Sequence, residues 1–262
     1  KKDFVPLMQE IYSEPIKKDL ILKRINEIKD HNGIAAISGT PQAAIKFQDA
    51  IIEANPDLFF LQGTVVSTEH LGSHGQESLN IKELCKILKL PVIAGNCVTY
   101  DVAKLLMQAG VAGIMVGIGP GAACTSRGVL GIGVPQATAI SDCSSARDAY
   151  FKESGKYIPI IGDGGIVTGG DICKCLACGA DAVMIGSPIA KALSAPGNGF
   201  HWGMATPSQV LPRGTRIEVG SSGSLERIIK GPALLDDGTH NLLGAIKTSM
   251  STLGAKNIKE MQ

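Results

Sequence analysis

The sequence predicts an α/β fold, a parallel sheet wound as a (β/α)8 barrel. Three observations predict it. Short apolar runs recur along the chain: "GIAAIS" (33–38), "LFFLQGT" (58–64), "PVIAGN" (91–96), "GIMVGIG" (113–119), "IPIIGDGG" (158–165) and "AVMIGS" (182–187). Their near-continuous Ile, Val, Leu and Ala suit strands buried on both faces. Helical segments separate them, which is the rhythm of repeated βα units. Several runs end on a glycine or polar residue, namely Asn96, Gly119, Asp163 and Ser187. A barrel gathers its active site at such carboxyl ends. Six runs are found where a closed barrel uses eight strands. Either two strands escape the pattern or two βα units are absent ahead of the chain, and its start at Lys1 rather than Met favours absence. The expected organisation is one partial barrel domain over 1–262, strands three to eight followed by a C-terminal loop and helix. An open sheet exposes its edges, so low stability is expected of this piece alone.

Taken in order, Phe4, Leu7, Met8 and Ile11 stand at helical spacing, and 15–31 continues as an amphipathic helix opened by Pro15. Between the strands, helices are expected over 41–54, 78–88, 99–109, 136–153 and 169–178. Beyond Pro188 the pattern stops. Residues 196–224 are rich in Gly, Pro, Ser and Thr and read as a long functional loop. The run "DDGTHNLLGAIKTSMSTLG" closes the chain as a helix with Asp236 or Asp237 near its N-terminus.

Composition narrows the function. A net charge of +1 offers no electrostatic case for nucleic acid or an anionic membrane. Aromatics at 4% argue against base-stacking platforms. No apolar run approaches the ~18 residues of a membrane span. Seven cysteines, an odd number, read as reduced thiols of a cytoplasmic compartment.

Two glycine-rich turns, "GDGGIVTGGD" (162–171) and "MIGSP" (184–188), follow successive strands. Glycine amides after the last strands of a barrel are its usual phosphate site. Asp163 has two readings, an acceptor for ribose hydroxyls or a helix cap. The run "GIGPGAACTSRGVLGIGVPQ" (117–136) sets Cys124 among glycines. It does not complete a dinucleotide fingerprint, because Cys124 stands where the last glycine belongs and no helix is expected to start within it. A thiol among backbone amides is a candidate nucleophile; an inert packing cysteine is the other reading. In "CKCLAC", Cys173 points away from Cys175 and Cys178 at helical spacing, and no second Cys/His pair stands nearby, which argues against zinc. Cys97 and Cys143 read as packing residues. Gln62, Thr64, Asn96 and Thr99 lie at or beyond strand ends, and His201 and His240 are the histidines of most interest.

The 117–136 run resembles the active-site loop of the IMP dehydrogenase / GMP reductase family. "AGNCVT" (94–99), "GDGGI" (162–166), "GADAVMIGS" (179–187), "WGMA" (202–205) and "LGAK" (253–256) occur in family order and spacing. The likeness is closest to the short branch without the inserted CBS pair, for which this sequence has no room. The resemblance implies a (β/α)8 barrel in which a cysteine attacks C2 of a purine nucleotide. It implies Cys124 as nucleophile, with Thr125, Ser126 and Glu218 as catalytic partners. Asp163 would hold the ribose, and Gly164, Gly165, Gly186 and Ser187 the phosphate. Gly203 and Met204 would meet the base through their backbones. Gln62, Thr64, Asn96 and Gly117 would face NADPH or NAD. Carbonyls of Gly119, Gly121 and Cys124 would face a potassium ion. Family members assemble as homotetramers or octamers.

Within the family, the dehydrogenase converts IMP to XMP and uses a long flap with an Arg-Tyr pair to activate water. Here Met204–Arg213, "MATPSQVLPR", is short and lacks tyrosine. The reductase removes ammonia from GMP and gives IMP without hydrolysis. The resemblance therefore favours a GMP reductase, with IMP dehydrogenase as the alternative. An FMN-dependent barrel oxidoreductase and a non-catalytic nucleotide binder are the further readings. Five positions depart from the family pattern. Ser126 replaces a threonine, Arg213 the reductase glutamate, Ala122 a serine, Met115 a basic residue and Gln62 an acidic one. The replaced glutamate leaves Glu218 or Thr125 as the acid for departing ammonia.

Overall fold

A computed structural model describes residues 5–63, 66, 80–203 and 216–262. Six parallel strands lie side by side in chain order: β1 (Ala36–Gly39), β2 (Leu58–Gln62), β3 (Val92–Cys97), β4 (Gly113–Val116), β5 (Ile160–Asp163) and β6 (Ala182–Met184). Sequential parallel pairing with helical crossovers is the winding of a (β/α)8 barrel, of which the sheet forms part. All of β4 and all of β3 except Asn96 are buried, as their unbroken apolar runs require. The core lies between these strands and helices α6 (Tyr100–Ala109) and α7 (Gln136–Ser154), which bring in Leu106, Met107 and Ile140. Cys97 and Cys143 meet inside it, sulfur to sulfur at 4.0 Å, as small packing groups.

The register between β3 and β4 shifts once. Gly95 pairs with Met115, while Cys97 pairs with the next residue, Val116. Asn96 is the extra residue, a bulge of the kind that re-aims a side chain at a strand end.

Several helices differ from expectation. α1 spans Val5–Ser13, and α2 starts at Lys18 rather than at Pro15, because Lys17 is still extended. The helix expected over 41–54 divides into α3 (Pro41–Lys46) and α4 (Gln48–Ala54), since Phe47 leaves helical geometry at φ −111°, ψ 17°. α5 covers Ile81–Leu88, capped by Asn80. α8 (Gly169–Ala177) opens on a capping box: Thr168 accepts from the Asp171 N–H, and the Asp171 carboxylate accepts from the Thr168 N–H.

The region after Pro188 is more ordered than its composition suggests. A short helix α9 (Ser187–Ala190) leads to an antiparallel ribbon, β7 (Phe200–Trp202) with β8 (Arg216–Glu218), inside the stretch expected to be loop. Three-residue strands separated in sequence leave almost no periodic signal. α10 (Leu225–Lys230) comes next, capped by Ser224. The closing helix α11 (Leu242–Leu253) is capped by Asn241, not by Asp236 or Asp237. Asn241 sits at φ 57°, a region asparagine tolerates, and Asp237 instead closes a turn onto Thr239.

The amino ends of β5 and β6 are tied by an ionic cluster. Asp181 accepts from Arg147 at 3.0 Å, from the Tyr157 hydroxyl at 2.6 Å and from the Ile160 N–H at 2.9 Å. Arg147, 4% exposed, also donates to the Gly179 carbonyl. Lys259 reaches both Asp181 and Tyr157, and Gln262 donates to the Ala180 carbonyl, so the C-terminal turn is fastened here.

Candidate active site

At the carboxyl ends of the strands, the chain after β4 folds onto the ends of its neighbours. Gly117 is buried at φ 144°, and a methyl group there would lie 2.1 Å from the Asp163 carbonyl oxygen. Only glycine permits that approach. Pro120 rests on the turn after β5, its ring carbons directly over Gly164 and Gly165. Ala123 in turn faces Gly203 at the end of β7.

A polar network fixes this meeting point. The bulged Asn96 donates from Nδ2 to the Gly117 carbonyl at 2.7 Å and to Asp163 Oδ2 at 2.8 Å. Gln136, at the start of α7, donates from Nε2 to the Val116 carbonyl at 2.7 Å and to the Asp163 carbonyl at 3.3 Å. Burial pushes the Asp163 carboxyl up from its usual range, and the bond from Asn96 pulls against that shift. Asp163 Oδ1 is left to accept from an incoming hydroxyl.

Cys124 is exposed and its Sγ lies 3.4 Å from the buried Ser126 hydroxyl. The Cys124 N–H donates to the Gly121 carbonyl at 3.0 Å. The next residues wind into a π-type turn, Ser126–Leu130, where the sequence predicts non-helical loop. Arg127 explains the basic residue of the "CTSR" run. Its Nε donates to the Ile118 carbonyl at 3.0 Å and its Nη2 to the Val134 carbonyl at 2.6 Å, stapling the two ends of the loop together. The arginine crosses where Gly119 and Gly133 carry no side chain; a methyl at either would meet its Cγ within 2.7 Å.

The other candidates surround this loop. Asp163 pairs with Met184, which sets Gly164 and Gly165 beside Gly186 and Ser187. Gly186 borders open space, and the Ser187 hydroxyl lies 3.1 Å from His201 Nε2. Thr125 is exposed next to Cys124. Gln62 donates to Met115 Sδ at 3.5 Å, joining the two positions that depart from the family's charged pattern. Glu218 is exposed on β8 opposite Phe200, three residues of strand from Gly203, about 10 Å. His240 is buried and bonded to the Ser222 carbonyl. Met204 and Thr64 lie outside the described residues.

Sequence reasoning left three contributors unassigned: Arg127, Gln136 and Pro120. Each sits among the glycines of 117–136, and the glycines are the signal, since they mark where these side chains cross the backbone. The described residues hold no group of three or more His, Cys, Asp or Glu side chains suited to a metal. Cys173, Cys175 and Cys178 serve the packing of α8: Cys173 donates to the Ala245 carbonyl, and burial pushes the Cys175 thiol up to about 11. A monovalent cation is a different case, because it takes backbone carbonyls. The turn Gly119–Cys124 offers such oxygens, and Gly121 retains a lone pair beyond its bond from Cys124. The residues present fit that ion by the chemistry of their carbonyl oxygens.

Known proteins share this sequence pattern and fold. Residues 21–262 match the IMP dehydrogenase / GMP reductase domain. An uncharacterized oxidoreductase of Mycolicibacterium smegmatis is 38% identical over 262 residues, spanning 98% of this chain and 70% of that protein. The inosine-5'-monophosphate dehydrogenase of Aquifex aeolicus is 34% identical over 268 residues, covering 94% of this chain and 52% of its own length. The crystal structure of an IMP dehydrogenase/GMP reductase-like protein from Corynebacterium glutamicum superposes with a TM-score of 0.87 at 37% identity, covering 98% of this chain and 67% of that one. The chain thus spans about half the length of the Aquifex dehydrogenase and two thirds of the Corynebacterium protein. Matched over nearly its whole length, the chain belongs to the IMP dehydrogenase / GMP reductase family.

Proposed function

We propose that the protein reduces GMP to IMP through a covalent bond between Cys124 and C2 of the purine. The observation that carries this reading is the convergence of the Cys124 loop with the Asp163–Gly165 turn through Pro120 and with β7 through Ala123. That convergence, with an exposed thiol on the loop and glycine amides and one carboxylate on the turns it touches, supports a site for a nucleoside 5'-monophosphate.

In this mechanism the Cys124 thiolate adds to C2, and the bond from C2 to the exocyclic nitrogen breaks as that nitrogen takes a proton and leaves as ammonia. NADPH, when bound, supplies the hydride that ends on C2. The C2–S bond then breaks and returns the electron pair to sulfur. Ser126 accepts from the resting thiol at 3.4 Å, and the same hydroxyl can turn to donate to the thiolate before attack and again when the C2–S bond breaks. Thr125 and Glu218 are the candidate acids for ammonia; the exposed Thr125 adjoins the reacting sulfur. Asp163 accepts from the ribose hydroxyls, and Gly164, Gly165, Gly186 and Ser187 hold the phosphate. The backbones of Gly203 and Met204 contact the base, while Gln62, Thr64, Asn96 and Gly117 face the nicotinamide. Carbonyls of Gly119, Gly121 and Cys124 hold potassium and steady the loop. The protein works as a homo-oligomer in the cytoplasm.

The reductase direction rests on the short, tyrosine-free segment Met204–Arg213, which offers no Arg-Tyr pair to activate water. The reading of the same site as an IMP dehydrogenase draws on relatives such as the Aquifex enzyme. Incubating the protein with GMP and NADPH, and separately with IMP and NAD, decides between them. Loss of reduced-nicotinamide absorbance in the first mixture is expected. A gain in the second, with none lost in the first, overturns the reductase in favour of the dehydrogenase.

A further inference from the structure

We infer that Gln136 is a positioning residue: it sets where the Asp163 carboxylate stands relative to the loop that carries Cys124, and so registers the purine over the sulfur. The inference rests on the proposed nucleotide site and deepens it.

Three segments meet at this side chain. β4 ends at Val116 and runs into the Cys124 loop, the loop ends where α7 begins at Gln136, and β5 ends at Asp163. The Gln136 amide has two N–H groups to give. Nε2 donates to the Val116 carbonyl at 2.7 Å and to the Asp163 carbonyl at 3.3 Å. The side chain thus closes the loop onto its own starting point and ties it sideways to the neighbouring strand. Gly117 is pressed against this crossing: a methyl there would lie 2.9 Å from both Nε2 and Oε1 of Gln136. The Gly117 N–H donates to the Cys97 carbonyl and its own carbonyl accepts from Asn96, which hold the crossing from β3.

The anchor is rigid. α7 has 19 residues and buries Ala139, Ile140 and Cys143. Ile140 rests on β5 one residue before Asp163, where a methyl on Gly162 would lie 3.0 Å from its Cδ1. A group held on a packed helix is placed more accurately than one on a loop.

An unsatisfied atom shows which part of this side chain matters. Among the described residues, Gln136 Oε1 is buried with no hydrogen-bond partner. An acceptor left in that state costs about 1–3 kcal/mol. A methionine fills a similar space without that cost, so packing alone does not call for an amide here. What glutamine adds is the NH2 group and its two bonds. Asn96 occupies Asp163 Oδ2, and Gln136 fixes the main chain that carries this carboxylate. The carboxylate then offers Oδ1 to a ribose hydroxyl at a set distance from the loop. A ribose held there fixes the attached base, and a displacement of about 1 Å costs about a hundredfold in rate.

A double-mutant cycle on the intact protein tests this, with GMP and with the dideoxy analogue that lacks both ribose hydroxyls and so gives Asp163 nothing to accept. Gln136→Met should bind GMP about tenfold more weakly, or about 1.4 kcal/mol. It should turn over saturating GMP with NADPH about a hundredfold more slowly. Its affinity for the dideoxy analogue should equal that of the wild type. In an Asp163→Asn background, adding Gln136→Met should leave GMP affinity unchanged, because the two residues act as one unit. Gln136→Asn, one methylene short of both carbonyls, should repeat each result and carries the test if Gln136→Met does not fold. Unchanged GMP affinity and turnover overturn the inference. Equal weakening of GMP and the dideoxy analogue, or additive losses in the Asp163→Asn background, mark a purely structural role and overturn it as well. A wild type that binds neither nucleotide overturns the nucleotide reading itself, and this inference with it.

Discussion

The two ends of the sheet solve opposite problems with the same strands. At the amino ends of β5 and β6, Arg147, Tyr157, Lys259 and the Ile160 N–H all converge on one carboxylate, Asp181. All four partners come from the same chain, Arg147 buried and Tyr157 and Lys259 at the surface, and together they fill the acceptor capacity of that carboxylate. At the carboxyl ends, Asp163 receives one side-chain donor, Asn96. Burial holds its carboxyl above the ordinary range, and the thiol of Cys124 stands exposed. A buried carboxylate with few donors costs stability, whereas one surrounded by donors does not. The chain thus gathers its most densely bonded carboxylate at one end and keeps unfilled hydrogen-bonding capacity at the other. That division matches the barrel rule, with stability at the amino face and chemistry at the carboxyl face.

Substitutions at the two ends should therefore break different things. The largest effect is expected from Cys124→Ala. Turnover should fall at least about a thousandfold, with the melting temperature unchanged because the thiol is exposed. Steady-state kinetics and a thermal scan check both halves. At the other end, Arg147→Met should cost about 3 kcal/mol of stability, seen as a lower denaturation midpoint, and leave GMP affinity as it was. Loss of nucleotide binding in that variant would erase the division between the ends.

Gly117→Ala tests how tightly the upper end is assembled. The added methyl would meet the Asp163 carbonyl, so a loss of about 2 kcal/mol should accompany a loss of activity. A fully active variant would mean that the loop need not sit as closely as it does. The smallest effect concerns the cap of α8, just after the turn that follows β5. Thr168→Ala should cost about 1 kcal/mol. Burial alone would raise the carboxyl of its partner Asp171, but the Lys174 ammonium and the donors on Thr168 and Val167 outweigh burial and lower it to about 2. Its folded value lies below the unfolded one, about 3.9. The stabilisation is therefore complete above about pH 4 and is lost as pH falls toward 2. Asp171→Asn should flatten that part of the stability–pH curve, which acid titration of the unfolding midpoint measures.

Legibility in the sequence tracked physical regularity. The buried strands β3 and β4 announce themselves as unbroken apolar runs, and the six-strand parallel order can be read from the spacing of such runs. The β7–β8 ribbon was hidden because three-residue strands leave no period, and Asn241 was hidden because a cap in the left-handed region looks like any loop asparagine. At the site, the unusual glycines marked the Cys124 loop, and resemblance supplied the chemistry. The partners that hold the loop were not legible. Asn96 reaches Asp163 only because of a bulge in the pairing of β3 with β4, and the staple made by Arg127 depends on carbonyls sixteen residues apart, at Ile118 and Val134. Such contacts depend on three-dimensional closure and leave no local pattern.

The most direct measurement is the rate at which iodoacetamide modifies Cys124, read by peptide mass spectrometry with and without saturating GMP. In the free protein Cys124 should react faster than the buried Cys97, Cys143 and Cys175, and GMP should slow its modification at least about tenfold. Modification of Cys124 at an unchanged rate in the presence of bound GMP would contradict the placement of its sulfur at the nucleotide.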